Sequence, residues 1–121
     1  MKVNQNKRDE AIQKFKDEYQ EYLDPEFLIA YYVITEALLM ADSRVKNMMI
    51  ATWGKEHRTF QTSTGEKSVY NYIWYPIFYD MDTMLGLDNT GKYRFNYYDE
   101  DTEPTLFNGD EVLWILTRDA L

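Results

Sequence analysis

Four polar side chains have the types and the spacing needed to hold metal ions. Asp42 is followed five positions later by Asn47, and Asp80 and Asp82 come directly after the aromatic run 70–79. Carboxylate and amide oxygens are the ligands that Mg²⁺ prefers, and a carboxylate, an amide and paired carboxylates in this order can hold two such ions against a nucleoside triphosphate. The pattern indicates phosphoryl-transfer chemistry.

Each of these residues also has a simpler structural interpretation. Asp42 can end the preceding helix, and Asn47 is a common turn residue because its side chain mimics backbone hydrogen bonds. Asp80 and Asp82 lie two residues apart, so they would share one side of a continuing strand, where mutual repulsion favours a cation or nearby basic residues. The alternative for that pair is a solvated acidic loop.

Two helices are predicted ahead of these residues. Apolar residues recur at three- and four-residue spacing over 7–23, which is the period of an amphipathic helix. Asp24 followed by Pro25 is typical of a helix start, and the apolar run that follows predicts a second helix to about Met40. Since this second helix is apolar all round, it must be central to the domain or covered in part by a partner.

A hairpin is predicted next. The short apolar run 48–53 reads as a buried strand that Gly54 closes, residues 55–68 as a solvated loop, and 69–79 as a second strand with Pro76 at an edge or bulge. Pairing of 48–53 with 70–79 is the main topological prediction. Beyond Asp80, the pattern indicates a turn at 87–91, a short strand at 93–98, an acidic loop at 99–104 and a last helix capped by Asp110.

The predicted fold class is therefore α+β: two N-terminal helices, a central antiparallel β-hairpin or small sheet, and a C-terminal helix. The 121 residues fit one domain, divided into an amphipathic helix (1–24), a central segment (25–86), and an acidic loop with the last helix (87–121). Glu36 interrupts the apolar helix and needs a partner if it is buried, with Arg44 or Lys46 as candidates. His57, the single histidine, is expected to be an exposed side chain.

The segments 27–47 and 74–86 resemble the central part of the spore coat protein H family of atypical kinases, over roughly residues 26 to 86. The resemblance implies part of a kinase-like C-lobe, with Asp42 as the catalytic-loop aspartate, Asn47 as a metal-binding amide, and Asp80 and Asp82 as the metal-binding pair. It also implies Mg²⁺, with ATP if the chain is an enzyme. Neither a glycine-rich phosphate loop nor a strand with an ATP-binding lysine precedes this segment.

A second resemblance concerns the downstream half. The stretches 78–91 and 107–114 look like segments of large tail or virion structural proteins of bacteriophages. This likeness implies a phage-derived structural module, placed in the host cytoplasm or the virion.

Charge and composition restrict the partners. The net charge is −8. From Asp80 to Glu111 the sequence contains nine acidic residues and only two basic ones, Lys92 and Arg94. Such a field repels phosphates, so direct nucleic-acid binding is not expected. There are no cysteines, which excludes disulfides and thiolate sites. No signal peptide is predicted, because residues 1–8 lead into charged residues and not into an apolar core with a cleavage site. No transmembrane segment is predicted, because the apolar run 27–41 is shorter than the roughly 20 residues that a bilayer requires.

Three functions remain open from the sequence. The first is a structural or protein-interaction module, with a kinase-like core that is degenerate or incomplete and with a protein partner or self-association. The second is a magnesium-dependent phosphotransferase whose missing lobe another chain supplies. The third is an acidic mimic of nucleic acid that inhibits a host defence protein. The missing nucleotide lobe favours the first, so the chain is not expected to be an enzyme on its own.

Overall fold

The computed structural model describes residues 5–44, 47–82, 84–85, 87 and 112–121, with Ala41 and Asp42 described by their backbone alone. Helix α1 (Gln5–Glu18) runs into a 3₁₀ turn (Tyr19–Glu21), and helix α2 (Pro25–Ala37) into a second 3₁₀ turn (Ala41–Arg44). An antiparallel hairpin of β1 (Met49–Thr62) and β2 (Gly65–Ile77) follows, and helix α3 (Val112–Ala120) ends the described chain. The α+β prediction is confirmed. The predicted turn at 87–91, apart from Leu87, lies outside the described residues, as do the predicted strand at 93–98, the acidic loop and the Asp110 cap.

Helix α2 begins where the sequence predicts. The Asp24 carboxylate accepts a hydrogen bond of 2.9 Å from the Phe27 backbone N–H, and Pro25 occupies the first helical position, where its missing N–H has no cost. Helix α2 ends at Ala37, three residues before the predicted end. Leu39 has a φ of 50°, and the Met40 and Leu39 N–H groups donate to the Thr35 and Glu36 carbonyls in a Schellman arrangement.

The predicted strand pairing is confirmed, but the predicted loop at 55–68 is wrong. Met49 lies opposite Ile77 and Thr52 opposite Trp74, and the ladder then continues to Thr62 opposite Gly65. The turn is therefore only Ser63–Thr64. Residues 55–62, which are polar except for Phe60, alternate between more and less exposed positions, which is the period of a strand.

The prediction that Gly54 closes β1 is wrong. Gly54 instead forms a β-bulge within the strand. The register shifts between Thr52 and Lys55, and Gly54 has a φ of 123°, a conformation that side chains disfavour. The Thr52 hydroxyl accepts a hydrogen bond of 3.1 Å from the Gly54 N–H and holds the bulge closed. Trp53 is left 86% exposed.

The core lies between the helices and the end of the hairpin that is far from its turn. Leu28, Tyr31 and Trp114 form its buried centre, with Phe15, Tyr19 and other partly buried side chains packed around them. Tyr31 is stacked between Trp114 and Phe78, with ring centroids 5.3 Å and 4.9 Å away. The backbone of Leu23 bridges that of Trp74, which joins the α1–α2 connection to the outer edge of β2. In the described part of the chain no helix is long and apolar enough to cross a membrane.

Candidate functional site

The structure brings together two of the four predicted metal-site residues. The Asn47 amide Nδ2 donates a hydrogen bond of 3.0 Å to Asp80 Oδ2, although 33 positions separate the two residues. Asp80 has a φ of 52°, a left-handed conformation that aspartate tolerates better than most residues. The Asp82 side chain is exposed. Asp42 lies in the second 3₁₀ turn, and its side chain lies outside the described part of the structure.

The Asn47–Asp80 contact does not by itself make a magnesium site. An amide binds a cation through its oxygen, whereas Asn47 presents its nitrogen to the carboxylate and so orients Asp80. Across the described residues no three or more His, Cys, Asp or Glu side chains are grouped so that they could share an ion. The described residues therefore show one contact between two of the predicted ligands, and the side chain of Asp42, which the two-ion arrangement also requires, lies outside them.

The partner predicted for Glu36 is confirmed as Arg44. The Arg44 guanidinium is fully buried and donates 2.7 Å to Glu36 Oε2, 2.8 Å to the Thr35 hydroxyl and 2.9 Å to the Tyr32 carbonyl. Its planar group also lies over the Tyr32 ring, 4.3 Å from the centroid. The charge that the sequence places inside an apolar helix is therefore neutralised by a charge from the turn after that helix.

Backbone carbonyls of the second 3₁₀ turn hold this turn against α2 and the last helix. Trp114 Nε1 donates 2.8 Å to the Arg44 carbonyl, and the Tyr31 hydroxyl donates 2.6 Å to the Ser43 carbonyl. Burial raises the pKa of Tyr31, against the opposing Arg44 charge. The phenol therefore stays protonated and remains a donor at neutral pH. The role of Arg44 is structural, and its partners hold α2, the second 3₁₀ turn and α3 together.

A second polar cluster joins the start of α2 to the hairpin. Arg58 Nη2 donates to Asp24 (2.9 Å), Glu56 (3.0 Å) and the Tyr75 hydroxyl (2.9 Å), and that hydroxyl donates 2.7 Å to Glu56. Partial desolvation and the Glu56 hydrogen bond raise the pKa of Tyr75. Sequence reasoning missed this cluster because it assigned Glu56 and Arg58 to a loop. Their alternation with exposed Lys55 and His57 was the available signal.

One face of α2 is apolar and uncovered in the described structure. Leu28, Tyr31 and Thr35 point into the core, while Ile29 (44% exposed) and Val33 (54% exposed) face away from it, as does Ile34. Exposed alanines at 30 and 37 lie between these branched residues. We call residues 29, 30, 33, 34 and 37 the α2 face. An apolar groove of about 380 Å³ borders it, lined by Glu26, Phe27, Ala30, Tyr31, Pro76, Ile77 and Phe78.

The outer face of the hairpin carries aromatic and basic side chains. The His57 ring stacks on Tyr70 with centroids 4.4 Å apart, and Lys55 Nζ lies 5.5 Å from the Tyr72 ring centroid. His57 is exposed, as the sequence predicts, but it lies on a strand and not in a loop.

Comparisons with known proteins assign no family to this chain. Neither protein-family models, nor curated proteins, nor solved structures give a significant match to this chain.

Proposed function

We propose that the protein is a structural or protein-interaction module that works by binding another protein through the α2 face, without catalysis of its own. The observation that carries this proposal is the exposure of Ile29, Val33 and Ile34 on one helix face. A helix with one face in the core normally presents polar residues on the other, and α2 does not.

The spacing of the face identifies the kind of partner. Its residues recur at intervals of three and four, so they form the ridges into which another helix packs. The small side chains of Ala30 and Ala37 leave room between Ile29, Val33 and Ile34 for the side chains of an opposing helix. At 1.5 Å per residue, α2 is about 20 Å long, enough for three turns of contact. The partner is therefore an amphipathic helix of another protein, and the resemblance to bacteriophage structural proteins supports a partner within a particle.

Lysine at Val33 is expected to abolish this binding and to leave the fold intact. Val33 is exposed, so Val33→Lys should change the free energy of unfolding by less than about 0.5 kcal/mol. In the complex the same lysine would be buried without a counter-charge, which should weaken binding by on the order of 100-fold. The measurement is recovery of the partner with tagged protein from cells that also express the neighbouring genes.

Val112→Lys is the matched control, because Val112 is an equally small, 66% exposed residue on another helix. A partner retained by Val112→Lys and lost by Val33→Lys supports the proposal. Equal retention by both variants contradicts it.

The second candidate is the magnesium-dependent phosphotransferase, which the Asn47–Asp80 contact favours. In that case Mg²⁺-dependent ATP binding would be measurable by calorimetry on the purified chain, and Asp80→Ala would remove it. Asp9→Ala, which changes an exposed carboxylate on α1, would leave it unchanged. The interaction proposal predicts no Mg²⁺-dependent heat at millimolar ATP for any of the three proteins. A heat that disappears only in Asp80→Ala would overturn it.

A further inference from the structure

We infer that the protein forms a twofold dimer through the open edge of β1, in which residues 55–59 of two copies pair antiparallel with His57 opposite His57. This inference does not depend on the α2 face, which lies on a different element. Three properties of the hairpin support this dimer: the backbone groups that are unpaired, the charges that would lie opposite one another, and the position of the bulge.

The register shows which backbone groups of β1 are available. Thr62 and Gly65 pair across the two-residue turn, so they exchange both backbone hydrogen bonds, and every second residue before Thr62 also bonds to β2. The residues in between therefore direct N–H and C=O outward: Lys55, His57, Thr59 and Gln61. In the described structure these outward groups make no hydrogen bond. Such an edge is a template for another strand.

The edge of β2 differs from that of β1. Trp74 N–H donates 2.7 Å to the Tyr22 carbonyl, and the Trp74 carbonyl accepts 3.1 Å from the Asp24 N–H. The α1–α2 connection therefore occupies the outer edge of β2 near its end. On β1 the bulge at Thr52–Lys55 ends the regular part of the edge, which leaves 55–62 as the segment able to pair.

Charge complementarity favours a second copy of this chain and, among the registers centred on residues 56, 57 and 58, the one with His57 on the axis. With His57 on the twofold axis, Glu56 lies opposite Arg58 of the other copy, and this pairing occurs twice. These are non-hydrogen-bonded pairs, in which the opposing side chains approach most closely. Moving the axis by one residue toward Gly54 sets Glu56 against Glu56, and by one residue toward Thr59 sets Arg58 against Arg58. Both neighbouring registers place like charges together and are disfavoured.

Arg58 has donors left over for this contact. All its hydrogen bonds to Asp24, Glu56 and Tyr75 come from Nη2. Its Nε and Nη1 groups have no acceptor among the residues that the structure describes. In the dimer they would meet Glu56 of the other copy, and about six backbone hydrogen bonds would form between outward-facing residues 55, 57 and 59 of the two strands.

Proline at position 59 tests the edge against a closely matched control. Thr59→Pro removes an outward N–H and no bond to β2, and it should raise the dimer dissociation constant by on the order of 100-fold. Ser68→Pro makes the same change on β2 directly opposite, and both variants lose the same Thr59–Ser68 hydroxyl contact of 2.9 Å. Sedimentation equilibrium should show a dimer for the wild type and Ser68→Pro, and a monomer for Thr59→Pro. A monomeric wild type, or equal dissociation of both variants, overturns the inference.

Cysteine scanning tests the register separately and does not require a fully native proline variant. The chain contains no cysteine, so one introduced thiol can cross-link only to its counterpart in another copy. Oxidised His57→Cys should give a disulfide-linked dimer, because residues opposite across the axis lie about 5.5 Å apart at Cα, within disulfide range. Gln61→Cys, on the same face and edge, should remain monomeric when denatured. Cross-linking at 61 equal to that at 57 contradicts the register. Failure of these tests leaves the Val33→Lys result unaffected, because that experiment measures a different surface.

Discussion

Replacement of Arg44 by methionine is expected to lower the free energy of unfolding by about 3–5 kcal/mol, which is a large part of the total for a domain of this size. Arg44 is fully buried, and its removal takes away a hydrogen-bond donor from three acceptors: the Glu36 carboxylate, the Thr35 hydroxyl and the Tyr32 carbonyl. Methionine fills a similar volume, so the loss reports on these polar groups more than on a cavity. Urea unfolding followed by circular dichroism measures it.

Arg8→Met is the matched control for Arg44→Met. Arg8 contacts Asp119 at 2.6 Å, almost the same distance as the 2.7 Å between Arg44 and Glu36, but the Arg8 side chain is 49% exposed. Exposed ion pairs contribute about 0–1 kcal/mol, so Arg8→Met should be nearly neutral. If Arg44→Met shows no cooperative unfolding transition while Arg8→Met remains native, the conclusion is the same: Arg44 holds the fold together. Equal small losses in both variants would show that Arg44 does not hold the fold together.

Replacement of Trp114 by alanine is expected to cost about 3–5 kcal/mol, because a fully buried indole is removed from the centre of the core. Trp114→Phe separates the two contributions of this residue. Phenylalanine keeps the stacking on Tyr31 but loses the hydrogen bond to the Arg44 carbonyl, so it should cost about 1–3 kcal/mol for a buried acceptor left unpaired.

Trp53→Ala is the control for Trp114→Ala. Trp53 is 86% exposed at the bulge, and its removal should change the unfolding free energy by less than about 0.5 kcal/mol. If both tryptophan variants unfold at the same urea concentration as the wild type, α3 is not part of the cooperative core. The expected difference between positions 114 and 53 ties the last helix to the same buried network as Arg44.

The sequence predicted the elements whose signals are local. Asp24 followed by Pro25 is a complete helix-start signal, and the structure confirms both the cap and the start of α2. The pairing of 48–53 with 70–79 was predictable because a short apolar run and an aromatic run flank a turn-rich stretch. Glu36 inside an apolar helix required a nearby cation, and Arg44 supplies it.

Features that depend on long-range packing were not predictable in the same way. Residues 55–62 were interpreted as a loop because polar side chains occupy both faces of the strand, and Glu56 and Arg58 are tolerated on the inner face only because Asp24 and Tyr75 meet them there. A glycine that closes a strand and a glycine within a bulge have the same sequence signal, so the role of Gly54 depends on the register. The exposure of the α2 face also could not be read from composition, since an apolar helix is equally consistent with complete burial.

For the candidate site, the sequence correctly brought Asn47 and Asp80 into one region. The sequence did not predict the direction of the Asn47 side chain. The amide nitrogen of Asn47, and not its oxygen, faces Asp80, so two residues of the expected metal-binding types form a hydrogen bond. Residue types and spacing specify ligand candidates, whereas ion binding also requires several oxygens pointed at one position.

Photocrosslinking from the α2 face tests the central claim most directly, because it identifies what lies against that face in the cell. A photoreactive amino acid at Val33 should yield a cross-link to one protein, and peptide mapping should place the linked residue on the apolar side of an amphipathic helix. The same amino acid at the exposed Val112 should yield no such product. Cross-linking from Val33 that matches the pattern from Val112, or that reaches no helix of another protein, would contradict the claim that this face is the binding surface.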